Sequence, residues 1–217
     1  MNTEYKYRPQ RIEDFVFANE RLERQIKQYA NGQSLRPLIL HGKNGTGKST
    51  LAELIPRAID GDEVQITKIN AEDLNSIVEV RRLFTRSKQF DKHFAPFGQS
   101  RCYTVVEEVN FDPKAKGALR TSLDEMEGRD LTIFTTNELN KIDQGLLSRA
   151  EVIEIPPATA DKFLTQAQFI LRSEGVEIDD SSVLDVLESV YDLHHDNRAY
   201  YKALDEIISA SNNNESK

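Results

Sequence analysis

The sequence has few of the features that mark secreted, membrane-spanning or metal-rich proteins. Its 217 residues include one cysteine, Cys102, so no disulfide can form within the chain. No stretch approaches the roughly 18 uninterrupted apolar residues of a membrane span, and residues 1–6 lack the apolar core of a secretory signal. The four histidines show no metal-ligand spacing. We therefore expect no membrane segment. The expected location is the cytosol of a cell or of a host cell, with the nucleoid or nucleus as further possibilities.

Negative charge exceeds positive charge, but unevenly along the chain. The net charge is −8, and residues 158–217 alone carry 12 acidic and 5 basic side chains. Residues 81–101 have the opposite balance, with only Asp91 set against Arg81, Arg82, Arg86, Lys88, Lys92 and Arg101. Such a stretch is either a solvated helix face or a contact for the phosphate backbone of a nucleic acid.

Apolar, β-branched runs alternate with helical patterns over the first 157 residues. The runs that predict strands are 38–41, 64–69, 103–106, 131–135 and 152–155. The segments that predict helices are 50–58, 74–89, 113–127 and a short turn at 144–149. This alternation is typical of an α/β fold in which a parallel five-stranded sheet is flanked by helices.

Two adjacent prolines, Pro156 and Pro157, end the last strand and mark a domain boundary. Helical patterns follow at 159–173, 181–191 and 197–210, with Asp180 and Ser181 as a cap of the second. The sequence thus predicts an α/β domain over 1–157, a small all-α domain over 158–210 and a flexible polar tail over 211–217.

A complete GxxxxGK[ST] motif lies between the first predicted strand and helix. It comprises Gly42, Lys43, Asn44, Gly45, Thr46, Gly47, Lys48 and Ser49, and Thr50 continues it into the helix. The glycines let backbone N–H groups converge on phosphates, and the helix N-terminus adds partial positive charge. Lys48 would neutralise the β- and γ-phosphates, and the Ser49 hydroxyl would bind Mg²⁺. The motif predicts that the chain binds a nucleoside triphosphate.

Polar residues follow two later strands. Glu107 and Glu108 come after an apolar run, and Asn137 follows the next one. At strand ends of a phosphate-loop sheet, Glu107 would lie near Mg²⁺, Glu108 could orient or deprotonate water, and Asn137 could bind water and γ-phosphate. Taken alone, paired carboxylates are ordinary surface charge, and an Asn after a strand is a turn residue. Arg149 is either an exposed salt-bridge partner or an arginine finger for a neighbouring subunit's nucleotide.

The ordered set of motifs resembles that of the AAA+ ATPases. The individual residues within the motifs are similar to those of the clamp-loader group, which comprises the small subunits of replication factor C and their phage and archaeal relatives. The similarity extends to the segments Tyr5-Lys6-Tyr7-Arg8-Pro9, Ile69-Asn70-Ala71-Glu72-Asp73, Ala115-Lys116-Gly117-Ala118-Leu119-Arg120, Leu147-Ser148-Arg149-Ala150 and His195-Asp196-Asn197-Arg198. It covers nearly the whole chain. Glu107 stands where the group has Asp, Ala150 where it has Cys, and Lys116 where it often has Gln.

The resemblance implies roles for individual residues. Tyr7, Arg8 and Pro9 would pack against adenine, Glu107 and Glu108 would form the Walker B pair, and Asn137 would be sensor 1. Arg149 would be the trans-acting finger, and Arg198 would be sensor 2, which touches the γ-phosphate from the lid. The helix that carries Arg81, Arg82 and Arg86 lies where such proteins contact DNA.

The resemblance also implies a function. The chain would be a Mg²⁺-dependent ATPase in DNA replication that assembles with other AAA+ subunits, in a homo- or hetero-oligomer, with ATP at the subunit interfaces. ATP binding would favour gripping of primed or double-stranded DNA and the opening and loading of a sliding clamp. The helical collar of clamp loaders has no counterpart in these residues. Two alternatives stay open: a module that remodels or regulates a protein client, suggested by the acidic helical segment, and a non-hydrolysing ATP-binding scaffold subunit.

Overall fold

The chain forms two compact units. The computed structural model describes residues 2–74, 76–84, 101–109, 113–125 and 130–215. The sheet unit consists of Arg24–Gly42 and Lys48–Glu154, and the helical unit consists of Met1–Glu23, Lys43–Gly47 and Ile155–Lys217. This division differs from the predicted one, because the N-terminal segment and the middle of the phosphate-loop motif group with the C-terminal helices.

Five parallel strands form the sheet, and all five strand predictions are confirmed with small shifts at their ends. The strands are β1 (Leu38–His41), β2 (Ile66–Asn70), β3 (Cys102–Glu107), β4 (Asp130–Thr136) and β5 (Glu151–Glu154). Their order across the sheet is β2-β3-β4-β1-β5. The strands β1, β3 and β4 are almost entirely buried, as expected for parallel strands covered on both faces. Cys102 is buried within β3.

The register of the sheet fixes which strand ends are level with one another. His41, the last residue of β1, lies opposite Thr136, the last residue of β4. Val106 near the end of β3 lies opposite Phe134 of β4. The carboxyl ends of β1, β4 and β3 therefore meet at one edge of the sheet.

Nine helices lie within the described ranges, beside short 3₁₀ turns. They are α1 (Thr3–Lys6), α2 (Glu20–Ala30), α3 (Lys48–Asp60), α4 (77–84), α5 (Pro113–Asp124), α6 (Gln144–Leu147), α7 (Ala160–Ser173), α8 (Asp180–His194) and α9 (Asn197–Glu215). Helix α2 was not among the predicted helices. The predicted ends of two others, 85–89 and 126–127, lie outside the described residues. None of the nine is both long enough and apolar enough to cross a membrane.

Aromatic residues form the core of the helical unit. The Phe163 ring of α7 stacks on the Tyr200 ring of α9 with centroids 4.5 Å apart, and it meets Tyr201 edge-on at 5.4 Å. Helix α1 packs on α9, where the Thr3 backbone N–H donates to Asp205 Oδ1 at 3.1 Å. These contacts join the first residues of the chain to its last helix.

Two details of the helical segments differ from their predictions. The cap of α8 is Asp179, whose side chain accepts from the Ser182 N–H, and not the pair Asp180-Ser181, which already lies within the helix. Helix α9 continues to Glu215, beyond its predicted end at residue 210, while the flexibility of the tail stays a prediction. No Gly or Pro interrupts that stretch, and Asn costs a helix only a fraction of a kcal/mol per residue.

Candidate active site

The phosphate-loop motif connects β1 to α3, as predicted. Gly45 and Gly47 have φ values of +75° and +96°, a region that residues with a Cβ rarely adopt. A Cβ on Gly47 would come within 2.5 Å of the Phe15 ring, and the buried Thr46 hydroxyl donates to the Lys43 carbonyl at 3.1 Å. The loop conformation therefore depends on its glycines and on bonds within it.

Lys48 is nearly buried at the start of α3, with 8% of its surface exposed. Its Nζ donates to the carbonyl oxygen of Gly42, the first residue of the motif, at 2.9 Å. A buried ammonium needs partners to offset lost hydration. The side chain thus folds back along the loop, where a phosphate could take the place of the carbonyl oxygen.

The sheet edge brings the other predicted site residues of the sheet unit to the same end as Lys48. Glu107 closes β3 and is half-buried, whereas Glu108 and Asn137 follow β3 and β4 and are exposed. Ser49 is exposed in the first turn of α3. A hydroxyl and a carboxylate are the kind of oxygen ligands that Mg²⁺ takes, so this donor set fits the ion. The roles assigned to these residues stay predictions.

Glu108 has an unusual backbone conformation. Its φ is +53°. Among the described residues other than glycine, only Glu108 and His195 have a positive φ. The N–H of the next residue, Val109, donates to the Thr135 carbonyl of β4 at 3.0 Å and holds this turn. A side chain in the left-handed region costs about 1–2 kcal/mol. Strain of this kind concentrates at functional positions, and no residue pattern around Glu108 predicted it.

His41, at the end of β1, interacts electrostatically with Lys48. Burial is the main cause that lowers the pKa of its imidazole, and the Lys48 charge lowers it further against the opposing effect of Glu154. The ring is therefore neutral at pH 7 and adds no positive charge to the phosphate site.

The segment predicted to contact adenine is attached to the helical unit. The Tyr7 hydroxyl donates to Glu174 Oε1 at 2.5 Å, and Lys6 Nζ reaches the same oxygen at 2.6 Å. Hydrogen bonds from Lys6 and Tyr7 lower the pKa of Glu174. The Tyr7 ring meets Phe169 edge-on at 6.0 Å. Arg8 is exposed and Pro9 is half-buried, so the chain beyond Tyr7 is open to a ligand.

The N-terminus of α9 lies against the phosphate loop within the helical unit. The Asp196 carboxylate is so close to Gly45 that a Cβ on that residue would overlap with it. The Asn197 amide donates to the Thr46 carbonyl at 3.4 Å, and its oxygen accepts from the Ala158 N–H at 2.9 Å. Asp196 and Asn197 lie in the segment His195-Asp196-Asn197-Arg198, but the resemblance implied a role only for Arg198.

Arg198 follows directly in the first turn of α9. Its N–H is capped by Asp196 Oδ1 at 2.9 Å, and its side chain, 58% exposed, pairs with Glu4 at 3.1 Å. The predicted sensor is thus engaged with the N-terminal helix. Its part in nucleotide contact stays a prediction.

Gly45→Ala should weaken ATP binding by about tenfold or more. An alanine at φ +75° costs about 1–2 kcal/mol, and its Cβ would displace the Asp196 carboxylate from the loop. Gly175→Ala is the matched control, since its φ is +77° and nothing lies within 4 Å of the added Cβ. We expect the control to lose stability but keep its affinity for a fluorescent ATP analogue. Equal affinity of both variants would contradict a requirement for this loop conformation.

Arg149 lies in the turn that follows α6, two residues beyond Leu147, and its guanidinium forms a bidentate ion pair. Nε and Nη2 donate to the two oxygens of Asp124 at 2.7 and 2.8 Å, and Nη1 donates to the Gly145 carbonyl at 2.9 Å. The hydrogen bond lowers the pKa of Asp124 and raises that of Arg149. Both interpretations of Arg149 therefore stay open, because an intrachain pair does not exclude a further ligand.

The basic stretch is partly described. Arg81 and Arg82 are exposed on α4, whereas Val80 and Leu83 of the same helix are buried. Arg86 lies outside the described residues. Arg101 is half-buried and pairs with Asp60 at 3.6 Å, so it is not part of an open basic surface.

Comparisons with known proteins agree with this architecture. The family described as "ATPase family associated with various cellular activities (AAA)" matches residues 38–157. The chain is 27% identical over 191 residues to replication factor C small subunit 2 of Pyrobaculum arsenaticum, covering 86% of this chain and 56% of that protein. It is 30% identical over 182 residues to the replication factor C small subunit of Natronomonas pharaonis, covering 82% and 54%.

A solved structure supports the same fold. A variant of RuvB from Thermotoga maritima superposes with a TM-score of 0.72 over 92% of this chain and 64% of that one, at 14% sequence identity. The chain spans little more than half the length of the two curated relatives above.

Proposed function

Because the chain belongs to the AAA family of ATPases, we propose that it binds and hydrolyses ATP as a clamp-loader-like subunit in DNA replication. The observation that carries this proposal is the similarity to replication factor C small subunits over 86% of the chain. The arrangement of Lys48, Glu108 and Asn137 at one edge of the sheet supports hydrolysis at that edge.

The chemistry follows from what each residue can donate or accept. Loop N–H groups and Lys48 bind the phosphates and offset their charge. Glu108 accepts a proton from the attacking water as that water bonds to the γ-phosphorus and ADP leaves, and the Asn137 amide holds the water in line. Ser49 and Glu107 would hold Mg²⁺, which would supply neutralisation of phosphate charge.

A second subunit would complete each site. Arg149 of one subunit acts on the γ-phosphate bound to its neighbour, where a guanidinium stabilises the charge that develops during transfer. Arg198, which belongs to the helical unit, binds the same γ-phosphate. ATP therefore favours an assembly that grips primed or double-stranded DNA and opens a sliding clamp, and hydrolysis loosens this grip because both arginines lose the γ-phosphate.

DNA binding tests the proposal through Arg81 and Arg82. Each phosphate contact contributes about 0.9 to the slope of log affinity against log salt, so Arg81→Ala/Arg82→Ala should make that slope shallower by about 1.8. The control is Lys162→Ala/Lys202→Ala, which removes two exposed positive charges from the helical unit. The measurement is fluorescence anisotropy of primed DNA over a salt series with a slowly hydrolysed ATP analogue.

The two outcomes separate the candidate functions. Equal slopes for the two variants would mean that Arg81 and Arg82 do not contact DNA. If primed DNA also neither binds nor stimulates ATP hydrolysis, a protein client becomes the better assignment, in keeping with the 12 acidic against 5 basic residues over 158–217.

A further inference from the structure

We propose that Asp124 is a positioning residue that holds the Arg149 guanidinium in the orientation in which it reaches an adjacent subunit's nucleotide. This inference rests on the proposed function, because it assumes that Arg149 acts in trans. Asp124 lies 25 residues before Arg149 in the sequence, and no sequence motif in the chain joins the two.

The geometry leaves the working side of the guanidinium available. An arginine carries five N–H donors, and the pair with Asp124 uses one on Nε and one on Nη2. The Gly145 carbonyl takes one from Nη1. Within the described ranges no acceptor is bonded to the other two N–H groups, one on each terminal nitrogen, and two such donors match two oxygens of a phosphate. Asp124 thus fixes the arginine without using up its phosphate-binding donors.

The surrounding backbone fixes both ends of the pair. The Arg149 N–H donates to the Leu146 carbonyl at 3.0 Å, and Leu146 is buried in the core of the sheet unit. Asp124 is the last residue of α5, and α5 packs against α6. Since both Cα positions are set by packed elements, the ion pair transmits a defined position to the guanidinium.

Stability does not account for this aspartate. A negative charge in the last turn of a helix opposes the helix dipole. The Asp124 and Arg149 side chains are 55% and 33% exposed, and ion pairs so exposed contribute little to folding. What the pair does provide is order, since a bidentate contact removes rotamer freedom from a long side chain before it meets its ligand.

The test isolates the finger from the hydrolytic site. Subunits with Glu108→Gln keep their Arg149 but cannot hydrolyse, and subunits with Arg149→Ala can hydrolyse only if a neighbour supplies the arginine. Mixing the two should restore ATP turnover. Mixing Arg149→Ala with the double variant Glu108→Gln/Asp124→Asn should restore about 10- to 100-fold less, with a lower kcat and an unchanged KM for ATP.

Two further readouts exclude a general structural effect. Asp124→Asn should lower the unfolding midpoint by less than about 4 °C. Glu108→Gln/Asp124→Glu subunits mixed with Arg149→Ala subunits should recover most of the lost turnover, because the substituted residue keeps a carboxylate that can pair with Arg149 in bidentate form.

The outcomes distinguish the inference from its premise. If Glu108→Gln subunits fail to restore turnover to Arg149→Ala subunits, the trans role of Arg149 fails, and the role of Asp124 fails with it. If they restore it and the Asp124→Asn version restores it equally well, only the positioning role is overturned. A fall in the unfolding midpoint that accounts for the lost turnover, without rescue by Asp124→Glu, would also overturn it.

Discussion

Glu108→Gln is expected to lower ATP turnover by at least about 100-fold while ATP binding stays within about twofold. Gln has the size and shape of Glu but cannot accept a proton at neutral pH, so the water loses its base. The backbone is expected to remain as it is, because the bond from Val109 to Thr135 and not the carboxylate holds the turn. Turnover by phosphate release and affinity for a fluorescent ATP analogue are the two measurements.

A carboxylate at the same edge of the sheet supplies the control for Glu108. Glu154 ends β5 and is exposed, and we expect Glu154→Gln to keep turnover within about threefold of the unchanged protein, since surface substitutions away from a site have small effects. If Glu108→Gln also keeps its turnover, Glu108 is not the base, and an ATP-binding scaffold becomes the better description of the chain.

Arg149→Ala is expected to cause the other large loss, about 1,000-fold in turnover, since arginine fingers contribute 10³ or more to phosphoryl transfer. ATP binding by the same subunit should be unchanged, because its own arginine belongs to the neighbour's site. Single-turnover hydrolysis and nucleotide titration measure the two quantities. The control is Arg21→Ala, which removes an exposed arginine from α2.

Two results would argue against a trans-acting arginine. Loss of ATP binding in Arg149→Ala would make the residue structural, through its contacts with Asp124 and the Gly145 carbonyl. A mass measurement that finds a monomer both with and without a slowly hydrolysed ATP analogue would leave Arg149 without a nucleotide to complete.

Local patterns in the sequence predicted most of the fold. Buried parallel strands are continuous apolar runs, so the bounds of β1 could be read directly from Leu38-Ile39-Leu40. Helix α2 was missed although Leu22, Ile26 and Tyr29 mark one buried face, because polar residues dominate between them. The extension of α9 into an Asn-rich tail was missed because composition there favours disorder, whereas no residue breaks the helix.

Some features of the candidate site could also be predicted from the sequence, and others could not. The phosphate loop was predictable, because its eight contiguous residues carry the chemistry and the backbone requirement together. The left-handed turn at Glu108 was not, since a bond to β4 creates it. The pairing of Asp124 with Arg149 and the approach of Asp196 to Gly45 depend on packing between segments far apart in the chain.

The position of β1 in the sheet has a consequence for synthesis of the protein. Leu38 lies opposite Ile133 on one side and Glu151 on the other, so β1 has no strand neighbour until β4 has left the ribosome. Contacts this distant form late, because a long loop must close before they yield any stabilisation. The phosphate loop follows directly from β1, so the strand that precedes the loop is held in the sheet only after β4 is present. Binding of ATP by a growing chain would therefore report that the centre of the sheet has closed.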